Sequence, residues 1–473
     1  MEVRLEQFLK NAQDRRSFLT GAGRGASVLA LAPLLASVAT ETAAAAPTGG
    51  KYDFDTPYNR LGTDSVHWDL PKRTEHMSKI IAGMGVADMD FRCAPSIMAG
   101  LRKRMEHENW GYVDMDAPGP AAFMQGIIDW NKRRYGINVI NHSNLGIGTG
   151  VHSGLVAALR AFSPPGSKVL MITPIYNGFY YDLPFTNTVA NESQMKYVNG
   201  KYEIDWDDLE RRMTPDTKTM ILCNPNNPTG NAWTKAELNR IGELCLKHKV
   251  IILSDEIHCD FITKGQKYTP ISTLDNKDIV NNSITFKSGS KSFSLAGMKC
   301  AWFFSTNPEL FKRTAAMDRA DLNTLGMIAE QSAYAGGEDW LNSCVDYIDA
   351  NHDYVGQYIK ANIPMIKMGQ KAQSTYLVWL DTTEVGQKIG AQKLADAENK
   401  KPQPISVLTG KPTVVTVDDI VGHWFAKNAF VALNPGNTYG KGGLNHMRMN
   451  IATARPTLKA ALDSMAGALK NLA

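Results

Sequence analysis

The sequence predicts an α/β protein: a large domain with a mostly parallel central sheet sandwiched by helices, plus a smaller α/β domain. One observation is the run Thr219 to Asp255, in which an apolar strand, Thr219 to Cys223, leads through Asn224-Pro225-Asn226-Asn227-Pro228-Thr229-Gly230 to a helix. That helix opens at Thr234 with Glu237 three residues on, a capping box, and Leu238, Ile241 and Cys245 form its inner face. A second apolar strand, Val250 to Ser254, follows at once, and strands this apolar are buried on both faces, as in parallel sheets. The other observation is repetition: apolar runs of strand length recur at Val169 to Thr173, Ile284 to Phe286 and Cys300 to Phe304. Helical patterns around Ala315 to Tyr334 and Trp340 to Ile363 then precede one more strand, Ser374 to Asp381, which implies a second, smaller α/β domain.

These elements divide the chain into a leader, 1–46, an N-terminal arm with part of the small domain, 47–95, a large domain, 96–335, and a small C-terminal domain, 336–473. A chain of 473 residues is long enough for two or three domains. A formal charge of +4 with no long Lys/Arg block gives nucleic-acid binding no electrostatic support. The six cysteines, at 93, 223, 245, 259, 300 and 344, show no CxxC and no metal-like spacing with His, so buried free thiols are expected rather than a disulfide framework or a metal site.

In chain order, Arg15-Arg16-Ser17-Phe18-Leu19 precedes the Ala-rich segment Ala26 to Ala39 and a small-residue run, Thr42 to Ala46, with Ala-x-Ala cleavage choices. This is the order of a twin-arginine export signal, so the mature chain is expected to begin near Pro47 and to be periplasmic or otherwise exported. The alternative is an N-terminal amphipathic helix that stays in place. No later stretch approaches the ~18 apolar residues that a membrane span requires.

The stretch Val86-Ala87-Asp88-Met89-Asp90-Phe91 alternates enough for a strand end, and from chemistry alone its acids read as turn or cap residues rather than site residues. Helical patterns cover Pro95 to Arg104 and Gly119 to Tyr135; between them Trp110-Gly111-Tyr112 offers a ring with a polar tip for a ligand or a partner chain. Gly146-Ile147-Gly148-Thr149-Gly150-Val151-His152-Ser153-Gly154 runs into the apolar helix Leu155 to Phe162 and puts bare amides at a helix start, suited to phosphate. A dinucleotide fold is the rival reading. Against it stand the late position, the partial glycine spacing and the absence of a ribose-binding acid after Val169 to Thr173.

An aromatic cluster, Tyr176 with Phe179 and Tyr180, lies just past that strand, where a ring can stack on a flat ligand or simply pack in the core. Asp255 ends the next strand but one, placed to charge-pair with a ring nitrogen. His258 either touches the same ligand or fills space. Lys291 follows the strand Ile284 to Phe286 in Ser288-Gly289-Ser290-Lys291, a lysine able to form an imine with an aldehyde cofactor beside hydroxyls that can bond its phosphate. Alone that motif reads first as a solvated surface lysine. Lys299 adds a second cation nearby. The segment Glu384 to Val415, rich in Lys, Gly, Pro and Gln, is expected to be an exposed loop or partly disordered insertion. Arg448 stands in the strand Met447 to Ala452, where a guanidinium needs an anion and fits a carboxylate two-point fashion. Leu458, Leu462, Met465, Leu469 and Leu472 give a final core-packing helix.

Together, Tyr176, Asn227-Pro228-Thr229-Gly230, Asp255, Ser288-x-Ser290-Lys291 and Arg448, in this order, resemble the fold-type I pyridoxal-phosphate enzymes of the aspartate aminotransferase superfamily (class I/II). Within it the sequence is similar to the MalY/PatB-type cystathionine β-lyases, carbon-sulfur lyases, in Asp53-Phe54-Asp55, Arg60-x-Gly62-Thr63, Trp68-Asp69, Ala87-Asp88-Met89-Asp90-Phe91 and Gly111-Tyr112. The likeness continues in Ser254-Asp255-Glu256-Ile257-His258, Ser374 to Asp381 and Pro435-Gly436-x-Thr438-Tyr439-Gly440.

The resemblance implies pyridoxal 5'-phosphate as cofactor, with Lys291 as the Schiff-base lysine, Asp255 on the pyridine nitrogen, and Asn227, helped by His258, on the ring hydroxyl. It implies Tyr176 stacked on the ring, and Ser288, Ser290 and the Gly150-Val151-His152 backbone on the phosphate. Tyr112 would reach the neighbouring subunit's phosphate, which implies a homodimer with shared sites, and Arg448 would grip the α-carboxylate of a small amino-acid substrate. One departure stands out: superfamily members often carry Arg eight residues after the lysine, where this chain has Lys299, a charge without a two-point fork. The implied activity is β-lysis of a thio-substituted amino acid to a thiol, pyruvate and ammonia. The same machinery serves an aminotransferase, and the fold also serves regulatory binding modules.

Overall fold

The computed structural model describes residues 51–406 and 409–472. The export signal expected in 1–46 lies outside them. The chain divides into two compact units; one is Phe54–Asp396 with Thr416–Ala473, and the other includes Ala397–Val415.

The first unit is built on a seven-stranded sheet in the order β2-β10-β9-β8-β7-β3-β4. Its strands are β2 (Leu145–Gly148), β3 (Lys168–Thr173), β4 (Val189–Gln194), β7 (Thr217–Cys223), β8 (Ile251–Asp255), β9 (Ser283–Lys287) and β10 (Ala301–Phe304). The pairs β3–β4, β3–β7, β7–β8 and β8–β9 are parallel, and β10 alone runs against both its neighbours. The period of two along β3 sorts its side chains between two cores: Val169 and Met171 pack with Leu155, Ile221 and Phe286, and Leu170 and Ile172 pack with Leu238, Ile241 and Cys245. The capping box forms as expected, with the Thr234 hydroxyl on the Glu237 amide and the Glu237 carboxylate on the Thr234 amide, at the start of the helix Lys235–His248.

A four-stranded sheet, β11-β12-β15-β14, holds β11 (Lys367–Met368), β12 (Leu377–Asp381), β14 (Asn434–Pro435) and β15 (His446–Asn450). Its Met447 and Met449 pack with Leu458, Leu462, Met465 and Leu469 of the helix Arg455–Lys470. By alternation Arg448 and Asn450 face the other way. A short parallel pair, β1 (Ala82–Gly83) with β13 (Val431–Ala432), ties the N-terminal segment beside β15. The remaining strands, β5 (Lys196–Val198) and β6 (Lys201–Glu203), form a hairpin.

Three expectations need correction. Gly146 and Gly148 belong to β2 rather than to the helix start, and Gly146 is there for packing: a Cβ would stand 2.4 Å from the Phe303 ring. Residues 86–91 are not a strand: the carbonyls of Val86 to Met89 accept from side chains, and the Asp90 amide makes a single main-chain bond, to the Ala452 carbonyl, rather than a ladder. The stretch 384–415 is not simply a loop, since helices Thr383–Lys388 and Ala391–Glu398 bury Val385, Gly386, Ala391 and Ala395. All six cysteines are free and five are buried. Among the described residues no helix is long and apolar enough to cross a membrane.

Candidate active site

Parallel strands collect their C-terminal ends along one edge, and here that edge carries the chemistry. Thr173 ends β3 and leads to Tyr176; Cys223 ends β7 and leads to Asn227; Asp255 ends β8; Lys287 ends β9 and leads to Lys291. All of these loops, and the helix start after β2, converge on one cavity of about 250 Å³. Its lining includes Gly150, Val151, His152, Tyr176, Asn227, Asp255, His258, Ser290, Lys291 and Lys299, so ten of the thirteen expected site residues meet there.

Gly150 is the N-cap of the helix Val151–Phe162 and makes no side-chain cap, which leaves the first amides of a 12-residue helix to a ligand. Ser290 and Lys299 line the same cavity. The His152 imidazole also faces it, its centroid 5.7 Å from that of Tyr176. Burial works against protonation of His152, but the Asp182 carboxylate 2.7 Å from its Nδ1 raises its pKa. Gly178 makes room for the Tyr176 ring, since a Cβ there would lie 2.4 Å from Cε1.

At the centre the polar groups are short of partners. Burial pushes Asp255 up to about 6, against the Ile257 amide that donates to it at 3.0 Å. Burial pushes the Lys291 amine down to about 8; Arg448 and Lys299 act in the same direction, and Asp88 and Asp255 oppose them. His258 is held neutral by burial and by the charges of Lys291 and Arg448, and its buried Nδ1 has no partner. Lys291 Nζ donates to the carbonyl of Ala87 at 2.8 Å, which also accepts from the Tyr376 hydroxyl at 3.0 Å.

Arg448 lies beside this centre, buried, donating to Asn227 Oδ1 at 3.1 Å and to the Gly85 carbonyl at 2.6 Å, with Nε unpartnered. Its neighbour Asn450 donates to the carbonyls of Val86 and Asp88. Residues 85–88 therefore present their main chain to the lysine and the arginine alike. No side-chain motif encodes that role; the sequence marks the segment only by its alternation, its two acids and the resemblance carried by Ala87 to Phe91. Asp182 was missed too, a single acid in a five-residue helix without a motif.

Two expected residues fall elsewhere. Ser288 is a correction: its hydroxyl is 2.7 Å from the Cys300 carbonyl and 3.0 Å from Glu330 Oε1, and it accepts from the Ser290 amide, so it caps the lysine's helix instead of facing a phosphate. Tyr112 is fully exposed and is not brought to this chain's cavity.

The arrangement fits a flat, phosphorylated aldehyde. Bare helix amides with Lys299 suit the phosphate, Tyr176 and His152 offer ring faces, the unpartnered His258 Nδ1 awaits a polar group, and Asp255 and Lys291 flank the middle. Among the described residues no cluster of His, Cys, Asp or Glu could hold a metal ion.

Comparison with known proteins gives the same picture. The family model described as aminotransferase class I and II matches residues 79–416. The chain is 32% identical to cystathionine beta-lyase PatB of Bacillus subtilis over 88% of its own length and 100% of the relative's. It is 28% identical to protein MalY of Escherichia coli, over 89% of this chain and 99% of the relative. The crystal structure of the PLP-bound C-S lyase from Staphylococcus hominis superposes with a TM-score of 0.74 at 27% identity, covering 89% of this chain and 99% of that one.

Proposed function

The chain belongs to the class I and II aminotransferase family, and from that premise we propose that it is a pyridoxal-phosphate-dependent carbon-sulfur β-lyase of the cystathionine β-lyase kind. The observation that carries the reading is one cavity holding a lysine amine pushed down to about 8 opposite a buried strand-end carboxylate, Asp255. The likeness to PatB over its whole length supports lysis over transamination.

When bound, the cofactor supplies a covalent carbonyl handle and an electron sink for charge left at the substrate's Cα. The chain's residues do the rest. Asp255 is placed to keep a ring nitrogen protonated, because a carboxylate starved of partners gains most from a cation. Arg448 binds the α-carboxylate; its guanidinium, now resting on Asn227 Oδ1 and the Gly85 carbonyl, has buried donors to give. Once free, the Lys291 amine takes the Cα proton, and an amine near 8 serves as a general base close to neutral pH. A thiolate on Cβ then leaves.

Tyr112, with Trp110 and Met115, forms an exposed stretch, which supports a homodimer in which Tyr112 serves the neighbouring site. Arg15-Arg16 and the Ala-rich segment behind them support export by the twin-arginine route, after the cofactor is loaded in the cytoplasm.

The test is to give the purified protein cystathionine or an S-alkyl cysteine with pyridoxal phosphate and no keto acid. Pyruvate release is expected, with loss of both release and visible absorbance in Lys291→Ala. Strict dependence on an added keto acid would replace lysis by transamination.

A further inference from the structure

The helix that carries Lys291 spans only Gly289–Ser292, a single turn, too short to hold itself in place. Each end is tied to a buried carboxylate that lies outside the cavity. At the start, Glu330 of the helix Thr324–Gly336 is 1% exposed, and its Oε1 accepts from the Gly289 amide at 2.5 Å and lies 3.0 Å from the Ser288 hydroxyl. At the end, the Ser292 hydroxyl donates to Asp260 Oδ2. The other oxygen of Asp260 accepts from Arg134 Nε at 2.8 Å and from the Tyr135 hydroxyl, both at the end of the 18-residue helix Pro118–Tyr135.

From this geometry we infer that Glu330 and Asp260 are positioning residues for Lys291. They clamp the two ends of its one-turn helix to two longer helices, Thr324–Gly336 and Pro118–Tyr135, and so fix the direction from which the amine enters the cavity. The inference rests on the reading of Lys291 as the lysine that moves the Cα proton.

The physical case is one of leverage. A lysine side chain has four rotatable bonds, so the amine is only as well placed as the backbone that launches it, and a misplacement of about 1 Å can cost ~100-fold in rate. The clamp is also costly to keep. Glu330 Oε2 has no partner, and burial pushes the carboxyl up to about 7, a penalty that an apolar side chain would not incur. The Ser288 hydroxyl has one proton and two acceptors in reach, Glu330 Oε1 and the Cys300 carbonyl, which also ties the helix start to the head of β10.

The experiment uses the full-length protein with Ser292→Ala, Ser288→Ala, Glu330→Ala and Glu330→Gln. Expected kcat losses are about 10-fold for Ser292→Ala and about 100-fold for Glu330→Ala, each with KM changed less than about threefold. Glu330→Gln keeps an acceptor for the Gly289 amide and is expected to restore kcat to within about threefold of wild type. In the cofactor-free protein, acetic anhydride labelling of Lys291 across pH, read by peptide mass spectrometry, should shift its midpoint in Ser292→Ala and Glu330→Ala but not in Glu330→Gln. Wild-type kcat and wild-type labelling in folded Ser292→Ala and Glu330→Ala would overturn the clamp. If Glu330→Ala does not fold, Ser288→Ala and Ser292→Ala decide on the same two readings. A wild-type protein that gains no visible absorbance with pyridoxal phosphate would remove the functional reading instead, and labelling would still test the clamp.

Discussion

Two regions face Lys291, and they treat their carboxylates in opposite ways. At the strand ends, Asp255 is buried with a single amide donor in Ile257 and is pushed up to about 6. In the segment 85–90, Asp88 is also largely buried, yet His67 Nδ1 at 2.6 Å and Arg60 at 3.0 Å hold its pKa well below the usual carboxylate range. Asp90 shares the same Arg60 and accepts from Trp68 Nε1 at 2.8 Å. Underpaired groups have binding free energy to release on a ligand, and fully paired groups have it committed to shape. The strand-end region is thus built to react and the segment to hold.

The sharpest way to break this contrast is Asp255→Asn. Turnover is expected to fall about 100- to 1,000-fold, the scale of losing a preorganised charge at a reacting centre. Stability of the cofactor-free protein should move the other way. Asp255 has a folded pKa near 6 against an unfolded value of about 3.9, so its charged form is disfavoured in the folded state above that window. Below about pH 4 it is protonated in both states and the cost vanishes. Asn should therefore stabilise the protein at pH 7 by up to about 3 kcal/mol and by nothing at pH 4. Urea melts at the two pH values check this, and a variant less stable than wild type at pH 7 would contradict the strand-end account.

Arg448→Lys probes where the two regions meet. Arg448 reaches both Asn227 Oδ1 and the Gly85 carbonyl, a span that one ammonium cannot copy. We expect KM for the amino acid to rise about 10- to 100-fold, with kcat within about threefold, because the fork binds a group that does not react. Steady-state kinetics on one S-substituted cysteine separates the two constants. A fall in kcat at constant KM would instead place Arg448 with the reacting groups.

The strand-end region was legible in the sequence because parallel strands announce themselves as apolar runs and put their reactive residues at fixed positions just past them. Asp255 and Lys291 each stand at such a place. Arg448 was legible for the opposite reason, as a charge among Met447, Met449 and Ile451 that burial makes costly. The segment 85–90 was legible only in part, through the resemblance carried by Ala87 to Phe91, since what it presents to Lys291, Arg448 and Asn450 is the carbonyls of Gly85, Val86, Ala87 and Asp88, which every sequence carries. Ser288 misled for a related reason: a hydroxyl beside a reactive lysine serves a phosphate or a helix cap equally well, and only Glu330, 42 positions away, decides for the cap.

The smallest effect tests the holding region. The pKa of Asp88 is lowered on folding, so its pairing stabilises the protein above the unfolded value of about 3.9, and that contribution is lost as pH falls through the folded value. Asp88→Asn should cost roughly 2 kcal/mol at pH 7, less than a wholly isolated pair would lose, because Arg60 keeps Asp90. The deficit should narrow as pH falls below about 4, the reverse of the Asp255→Asn pattern. Melts of the two variants side by side give opposite signs at pH 7 if one region stores reactivity and the other stores shape. The same sign in both would mean that Asp88 and Asp255 belong to a single electrostatic unit around Lys291.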